Sequence, residues 1–557
     1  VPNPNHVIAY FSLEIGLGAH IPTYSGGLGV LAGDTIKAAA DLGLPYVGIT
    51  LLYRGGYFTQ SLDGSGRQQE AETPWHPESV LEEMPVRTYV PIEGRLVWVR
   101  AYRLMWRGVG GARVPIYFLD TDLPENTEQD RAITRRLYAG DTDHRIKQEA
   151  ILGIGGRRLL RSLSHDATTF HMNEGHAFLV ILELLSEHLS RFDKGVIDSA
   201  CIEHARRRCV FTTHTPVPAG HDRFGIEQVR RIVGDHPVLH RPDLCGPAGT
   251  LNTTILALNL TRYANGVARK HGEVSRAMFP GYAIDSVTNG VHASTWTSPP
   301  FQKLFDERIP TWRQCNADLR LAAAIGDDDL IRAHEEAKAA LIDRVNSRGS
   351  GPRLSRDRFT IAFARRATAY KRPAMLVSDM ERLRRINREV CPIQIVYAGK
   401  AHPHDGRGKE IIQEIVRAAA QAGEELPVAF VPDYDMALCA HLVSGADLWL
   451  NTPEPPLEAS GTSGMKAALN GVPSLSTLDG WWIEGHVEGV TGWSIDGDFL
   501  EHHPKSMYDK LERAVLPTWR RSRPAWAAVM RGAISLNGSF FTTERMLRDY
   551  VQRAYMD

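Results

Sequence analysis

The chain has 557 residues, 43% of them hydrophobic and 23% charged, and a formal net charge of −1. This is the composition of a soluble globular protein of two or three domains. It lacks the basic excess that nucleic-acid binding draws on, and no apolar run nears the roughly 20 residues needed to cross a bilayer. The six cysteines (Cys201, Cys209, Cys245, Cys315, Cys391 and Cys439) are scattered without a C-x-x-C pair. Neither a zinc cluster nor a disulfide framework is expected, nor a metal elsewhere. The start, VPNPNHVIAYF, has no secretory pattern, so a reducing cytoplasmic location is expected.

In chain order, HVIAYFSLE has the pattern of a buried strand ending at Glu14. The glycine-rich run Tyr24 to Gly29 follows, then VLAGDTIKAAADLGL, with helical spacing and a glycine stop at Gly43. YVGITLLY is a second strand. Strand, glycine loop and helix N-terminus together outline an α/β anion site, although GGLG does not match G-x-G-x-x-G. From Arg54 to about Asp122 the text is strand-like and broken by Pro and Gly, an insertion of extra strands. His144 to Leu163 is a helix. TTFHMNEGHAFLVILELLSEHL is a strand, a loop with Asn173, Glu174 and His176, and a helix; CVFTTHTPVPAGHDRF repeats the plan with Thr213 and His214 past the strand. Polar residues at strand C-termini of an open α/β sheet face its ligand crevice. LNLTRYANGVARKHGEVSRAM is taken as one helix, followed by a strand ending at Asn289-Gly290. Ser298 to Pro300 makes a hinge, and the domain boundary is placed near residue 295, giving domains 1–295 and 296–557.

The second half alternates more regularly: FTIAFA, IQIVYAG, VAFVP and ADLWLNT as strands, separated by helices, then EASGTSGMKAALNGVPSLSTLDG, and a helical tail from Met507 to Tyr555. The fold class is therefore α/β, two Rossmann-like domains facing a cleft. No internal repeat occurs.

Two stretches carry chemistry. In Ser460-Gly461-Thr462-Ser463-Gly464 the backbone N–H groups of a tight turn open a helix and can hold an anion. Lys466 follows among apolar neighbours, where a lysine loses its proton readily enough to form a Schiff base. The P-loop spacing is not met. Between 365 and 372 lie four cations, Arg365, Arg366, Lys371 and Arg372, past a strand end. Two phosphate dianions about 5 Å apart repel by roughly 13 kcal/mol at an effective dielectric near 20; such a loop suits that load. His334-Glu335-Glu336 lacks the second histidine of H-E-x-x-H, and His402, His404 and Asp405 are expected in a solvated loop. Trp481-Trp482 is read as core in preference to a sugar platform.

EASGTSGMK followed by ALNG and TLDG resembles the pyridoxal-phosphate site of the glycogen and α-glucan (maltodextrin) phosphorylases. So do SLE at Ser12 to Glu14, GGLG at Gly26 to Gly29, NEGH at Asn173 to His176, TTHT at Thr212 to Thr215, NGVARKHGEVS at Asn265 to Ser275, TNG with Trp296, and YKR, all in family order. The resemblance implies a glycosyltransferase B architecture with its site in the interdomain cleft. It implies phosphorolysis of an α-1,4-glucan by orthophosphate to glucose 1-phosphate, with retention. On this resemblance Lys466 would carry pyridoxal 5′-phosphate as a Schiff base, and Thr462, Ser463, Gly464 and Arg365 would hold the cofactor phosphate. Tyr434, Tyr370 and Trp296 would lie around cofactor and sugar. Gly27 and Leu28, with Arg366 and Lys371, would meet the substrate phosphate. Asn289, Glu458, Ser460, Gly461 and His214 would hold the glucosyl unit, and Glu174 and His176 would face the glucan. The substrate phosphate would act as acid and then nucleophile, with no protein carboxylate pair of the kind glycosidases use.

Relative to the vertebrate pattern, Arg365 stands for lysine, Thr368 for histidine, Asp435 for arginine, Ser25 for asparagine and Gly16 for tyrosine; GTSGMK replaces GTGNMK. In these respects the chain resembles the short bacterial and archaeal branch of the family. Asp435 is expected to repel a phosphate. The vertebrate N-terminal regulatory segment is expected to have no counterpart, and a homodimer follows from family habit alone. Two other readings share the architecture: a nucleotide-sugar glucosyltransferase of glycogen-synthase type, which needs no attachment lysine, and a non-catalytic glucan-binding protein.

Overall fold

A computed structural model describes residues 6–348 and 351–556. The chain divides into two compact units: one of Val1–Phe58, Glu72–Thr288 and Met546–Asp557, the other of Thr59–Ala71 and Asn289–Arg545.

The first unit is built on a nine-stranded sheet. Its strands are β1 (Val7–Phe11), β2 (Tyr46–Leu51), β3 (Glu82–Ile92), β4 (Arg95–Arg107), β5 (Arg113–Asp120), β6 (Ala167–Asn173), β7 (Cys209–Thr212), β8 (Tyr263–Gly266) and β9 (Asp285–Ser286). They lie in the order β9-β8-β7-β6-β1-β2-β5-β4-β3. The pairs from β9 through β5 are parallel, while β5-β4 and β4-β3 are antiparallel. The inserted strands of the sequence reading thus extend one edge of the parallel sheet. Alternation along β1 supplies two cores: Ala9 and Phe11 join one and Ile8 and Tyr10 the other. The C-terminal residues Met546, Leu547, Tyr550 and Tyr555 belong to the second core. Tyr555 Oη lies 2.6 Å from His171 Nδ1 of β6, and Tyr550 Oη lies 3.1 Å from Thr212 Oγ1 of β7. The helix after the glycine loop, Gly27–Asp41, packs closely because Gly33 has no side chain: a Cβ there would lie 1.8 Å from the Gly16 carbonyl oxygen.

One expectation fails in this unit. The stretch expected as a helix across Tyr263 holds the short strand β8, flanked by helices Thr253–Asn259 and Arg269–Met278. Its backbone pairs with β7 and β9 on either side, and that ladder overrides the helical periodicity of its flanks. The helix expected over His144 to Leu163 is present, with a π-turn at Ile151–Gly155.

The second unit carries an all-parallel sheet of β10 (Phe359–Ala364), β11 (Ile393–Ala398), β12 (Val428–Val431), β13 (Leu448–Asn451), β14 (Ser474–Thr477) and β15 (Gly492–Ile495), ordered β12-β11-β10-β13-β14-β15. The hairpin Thr59–Leu62/Gln68–Ala71 joins this unit through paired glutamines. Gln60 donates to the Gly399 carbonyl (2.9 Å) and accepts from Asp433 N–H (2.8 Å). Gln68 donates to the Ala401 carbonyl and accepts from Ala401 N–H, both at 2.9 Å. Among the described residues no helix is long and apolar enough to cross a membrane.

Asp447, just before β13, ties the long helix Asp327–Ser347 to the sheet. It accepts from His334 Nε2 (2.9 Å), Lys338 Nζ (2.7 Å) and Thr360 N–H (2.7 Å). Burial pushes its carboxyl up, but the Lys338 ammonium and then His334 overcome this and hold it at about 2. A folded pKa below the unfolded value of about 3.9 means stability that is complete above that value and lost as pH falls toward 2. Asp447→Ala strands the buried Lys338 ammonium and is expected to cost about 3–5 kcal/mol in denaturant unfolding at neutral pH; a loss below about 1 kcal/mol, the range of exposed ion pairs, would contradict this.

Candidate functional site

In the second unit, the loop after β10 and the turn before β14 converge on one carboxylate. Glu458 Oε2 accepts from Arg365 Nη2 at 2.7 Å and from Lys371 Nζ. Burial opposes ionisation of Glu458, yet Arg365 and then Lys371 hold its carboxyl at about 2. Oε1 takes neither cation and is available to a hydroxyl donor. Glu458 is itself held from behind: its N–H donates to Asp479 Oδ2 at 2.8 Å, and Gly480 N–H donates to Asp479 Oδ1 at 2.9 Å.

The cationic loop is rigidly seated. Thr452 Oγ1 donates to the carbonyls of Lys371 (2.9 Å) and Arg372 (3.0 Å), and Arg372 Nε returns a bond to the Thr452 carbonyl (2.8 Å). Glu454 N–H donates to the Tyr370 carbonyl, and Lys371 Nζ stands 4.6 Å from the Tyr370 ring centre. Arg365 Nε and Nη1 are buried without a hydrogen-bond partner. Arg366 is exposed.

The glycine-rich turn leads into the short helix Ser463–Ala468, capped at Thr462 without a side-chain bond to the backbone, so its first N–H groups have no intrahelical acceptor. Trp449 Nε1 donates to Ser463 Oγ (3.0 Å), and Ser460 Oγ donates to the Gly461 carbonyl (3.0 Å). Gly464 is required by packing: a Cβ would lie 2.7 Å from the Trp481 ring and 2.9 Å from Ser474 Oγ. That accounts physically for the glycine at this place in GTSGMK, and Trp481 and Trp482 are buried core. Lys466 is 5% exposed; its Nζ lies 3.7 Å from the Trp296 ring centre and pairs with no carboxylate among the described residues. Asn470 joins the two by donating to the carbonyls of Trp296 (2.8 Å) and Lys466 (3.0 Å). Asn289 is buried with its Oδ1 unpartnered. Tyr434 is partly buried at the loop before the helix Met436–Gly445. Asp435 caps that helix, accepting from Leu438 N–H at 2.7 Å, so its carboxylate is engaged locally.

In the first unit, residues at the ends of β1, β6 and β7 form a second network. Asn173 Nδ2 donates to Ser12 Oγ (3.0 Å), which donates to the Glu14 carbonyl (2.7 Å). Asn173 Oδ1 lies 2.6 Å from His214 Nε2, so that nitrogen carries the proton. Burial, then the nearby His271 and His171, push His214 down to about 3, leaving its ring neutral. Glu174 accepts from His214 N–H (2.8 Å) and Thr215 Oγ1 (2.9 Å). Gly27 and Leu28 open their helix, and the Glu14 carboxylate braces the loop before it through Ser25 and Gly26 N–H. Glu149, His176 and Asp222 place one ligand atom each within 4.8 Å of one another. Arg145 already supplies the cation there, its Nη2 3.0 Å from His176 Nε2 and 3.3 Å from Asp222 Oδ2.

The sequence reading did not single out Asp479 or Asn470, although both lie in runs it used, TLDG and ALNG. Both act through the backbone, and spacing gives no sign of that.

A family model described as carbohydrate phosphorylase matches residues 245–490. A maltodextrin phosphorylase of Thermococcus litoralis is 36% identical over 100% of this chain and 71% of its own length. A glycogen phosphorylase of Mycobacterium tuberculosis is 38% identical, covering 98% and 70%, and one of Aquifex aeolicus is 36% identical, covering 98% and 86%.

Burial raises the Asp479 carboxyl to about 6 against the lowering effect of the Glu458 and Gly480 N–H groups. With a folded pKa above the unfolded 3.9, its contribution to stability is full below pH 4 and is lost as pH rises to about 6. Asp479→Asn is expected to flatten the stability–pH curve across that window, measured by denaturant unfolding; parallel curves would contradict the assignment.

Proposed function

The chain belongs to the carbohydrate phosphorylase family, and from that premise we propose that it is an α-1,4-glucan phosphorylase, a glycosyltransferase that moves the terminal glucosyl unit of a glucan to orthophosphate and yields glucose 1-phosphate. The observation that carries this reading is the constellation of Lys466, Arg365, Lys371 and Glu458 in the second unit.

The residues present fit pyridoxal phosphate. An attachment lysine must not be locked to a carboxylate, and Lys466 lies against an indole face. A phosphate needs donors: Arg365 keeps two buried nitrogens without partners, and the first N–H groups of the helix after the 462–464 turn have no intrahelical acceptor. Lys466 would attach the cofactor, Thr462, Ser463, Gly464 and Arg365 would hold its phosphate, and Trp296 and Tyr434 would flank it. When bound, the cofactor supplies a phosphate whose second pKa near 6 lets it carry or release a proton at neutral pH.

The chain's own groups do the rest. Arg366 and Lys371 bind the substrate phosphate as cations that stabilise its charge, and Tyr370 shapes the loop that presents them. Glu458 divides its carboxylate: Oε2 fixes Arg365 and Lys371, and Oε1 accepts from a glucosyl hydroxyl. Asn289 Oδ1, Ser460 and Gly461 add polar contacts to the same glucosyl unit. In the first unit, Gly27 and Leu28 N–H are assigned to phosphate, His214 to the glucosyl unit and His176 to the glucan. A nucleotide-sugar transferase would leave Lys466 without a task.

Borohydride reduction of cofactor-saturated protein followed by peptide mapping is expected to place a phosphopyridoxyl group on Lys466; an unmodified Lys466 would contradict the reading. Lys466→Ala is expected to abolish phosphorolysis. Lys371→Ala removes a charge-assisted contact and is expected to lower kcat/KM for orthophosphate about 10–100-fold, whereas unchanged phosphate kinetics would remove Lys371 from the site.

A further inference from the structure

Glu174 is buried, and all four of its acceptor contacts are internal. Oε1 accepts from Gly175 N–H (3.0 Å) and Thr213 Oγ1 (3.5 Å), and Oε2 accepts from His214 N–H (2.8 Å) and Thr215 Oγ1 (2.9 Å). Its own N–H donates to the Thr212 carbonyl (2.9 Å). The backbone at Glu174 has φ 76° and ψ 167°, a region that side-chain-bearing residues rarely occupy. A strained residue whose carboxylate takes three of its four donors from one neighbouring loop is placed to hold that loop.

We propose that Glu174 is a positioning residue that fixes the direction of the His214 carbonyl, and not a glucan contact. The geometry works through two planar trans peptides. Oε2 pins the Thr213–His214 peptide by its N–H. Thr213 Oγ1, which donates to Oε1, accepts from Thr215 N–H at 3.4 Å. In a trans peptide the carbonyl points opposite the N–H, so holding Thr215 N–H toward Thr213 turns the His214 carbonyl outward, away from Glu174. The ring is set separately, by Asn173 Oδ1 at 2.6 Å. Adjacent residues of one loop therefore fix the side chain and the main chain of His214 independently. Glutamate suits this task because its longer arm reaches past its own Gly175 N–H to the next loop. Burial raises the Glu174 carboxyl while the His214 and Gly175 N–H groups oppose that, in keeping with an acceptor held by backbone donors.

The inference rests on His214 serving the glucosyl unit in the proposed reaction, and the test separates the two claims. Initial rates with maltoheptaose and orthophosphate are measured for the holoenzyme and for Glu174→Ala and Glu174→Gln, alongside a crystal structure of Glu174→Ala. A displaced carbonyl is expected to lower kcat about 10–100-fold in Glu174→Ala while the glucan KM stays within about threefold. Glu174→Gln, whose amide oxygen still accepts from His214 N–H, is expected to recover most of that loss. The structure is expected to show the 214–215 peptide rotated. A raised glucan KM with kcat retained, in either variant, would make Glu174 a sugar contact and overturn the proposal. If Glu174→Ala does not fold, Glu174→Gln decides by the same split of kcat and KM. Wild-type protein without phosphorolysis would sink the functional reading alone; the crystal structure would still decide the positioning claim, and an unmoved 213–215 backbone would overturn it.

Discussion

A single carboxylate meeting two cations governs the second unit. Arg365 and Lys371 come from the loop after β10 and Glu458 from the turn after β13, and all three charges are largely withdrawn from water. Such a cluster is tolerable only where each member has a counter-charge and hydrogen bonds. The surroundings meet that requirement with backbone. Asp479 takes the Glu458 N–H, and Thr452 and Arg372 lock the loop that carries Lys371. One excess positive charge remains in the trio, and two guanidinium nitrogens of Arg365 are left over. An anion is the species that completes this balance, as the proposed phosphate-handling role requires.

The first unit achieves order by a different device. Its network is nearly neutral and runs through carbonyls, hydroxyls and amides from Ser12 to His214. Burial keeps the His214 and His176 rings uncharged. Neutral hydrogen-bond donors and acceptors suit sugar hydroxyls, as the charged trio suits phosphate.

Much of this was legible in the sequence, for identifiable reasons. The strands of the second sheet are buried on both faces, so they stand out as short apolar runs between helices. The cationic loop and the glycine-rich turn are local patterns, and they lie where expected. Strand β8 was hidden because its four residues sit between two helical segments and depend on partners far along the chain. Strand β15 was missed because GWSI is only four residues long, follows a turn and is fixed by pairing with β14. The hairpin 59–71 joins the second unit through Gln60 and Gln68, whose partners lie more than 300 residues away, and no spacing rule reveals that. At the site, the expectation that Asp435 opposes a phosphate came from its charge alone, and spacing did not show that its carboxylate also caps the helix Met436–Gly445. The tasks of Asp479 and Asn470 emerge only when their backbone partners are brought together by the fold.

The central claim is that Lys466 and the 462–464 turn form the cofactor site and that the cations around Glu458 serve its phosphate and the substrate's. A crystal structure of the protein soaked with pyridoxal phosphate and orthophosphate tests this most directly. The account predicts density continuous from Lys466 Nζ, a cofactor phosphate at the 462–464 turn and Arg365, and a second phosphate at Arg366 and Lys371. Cofactor density away from Lys466, or both phosphates absent from these groups, would contradict it.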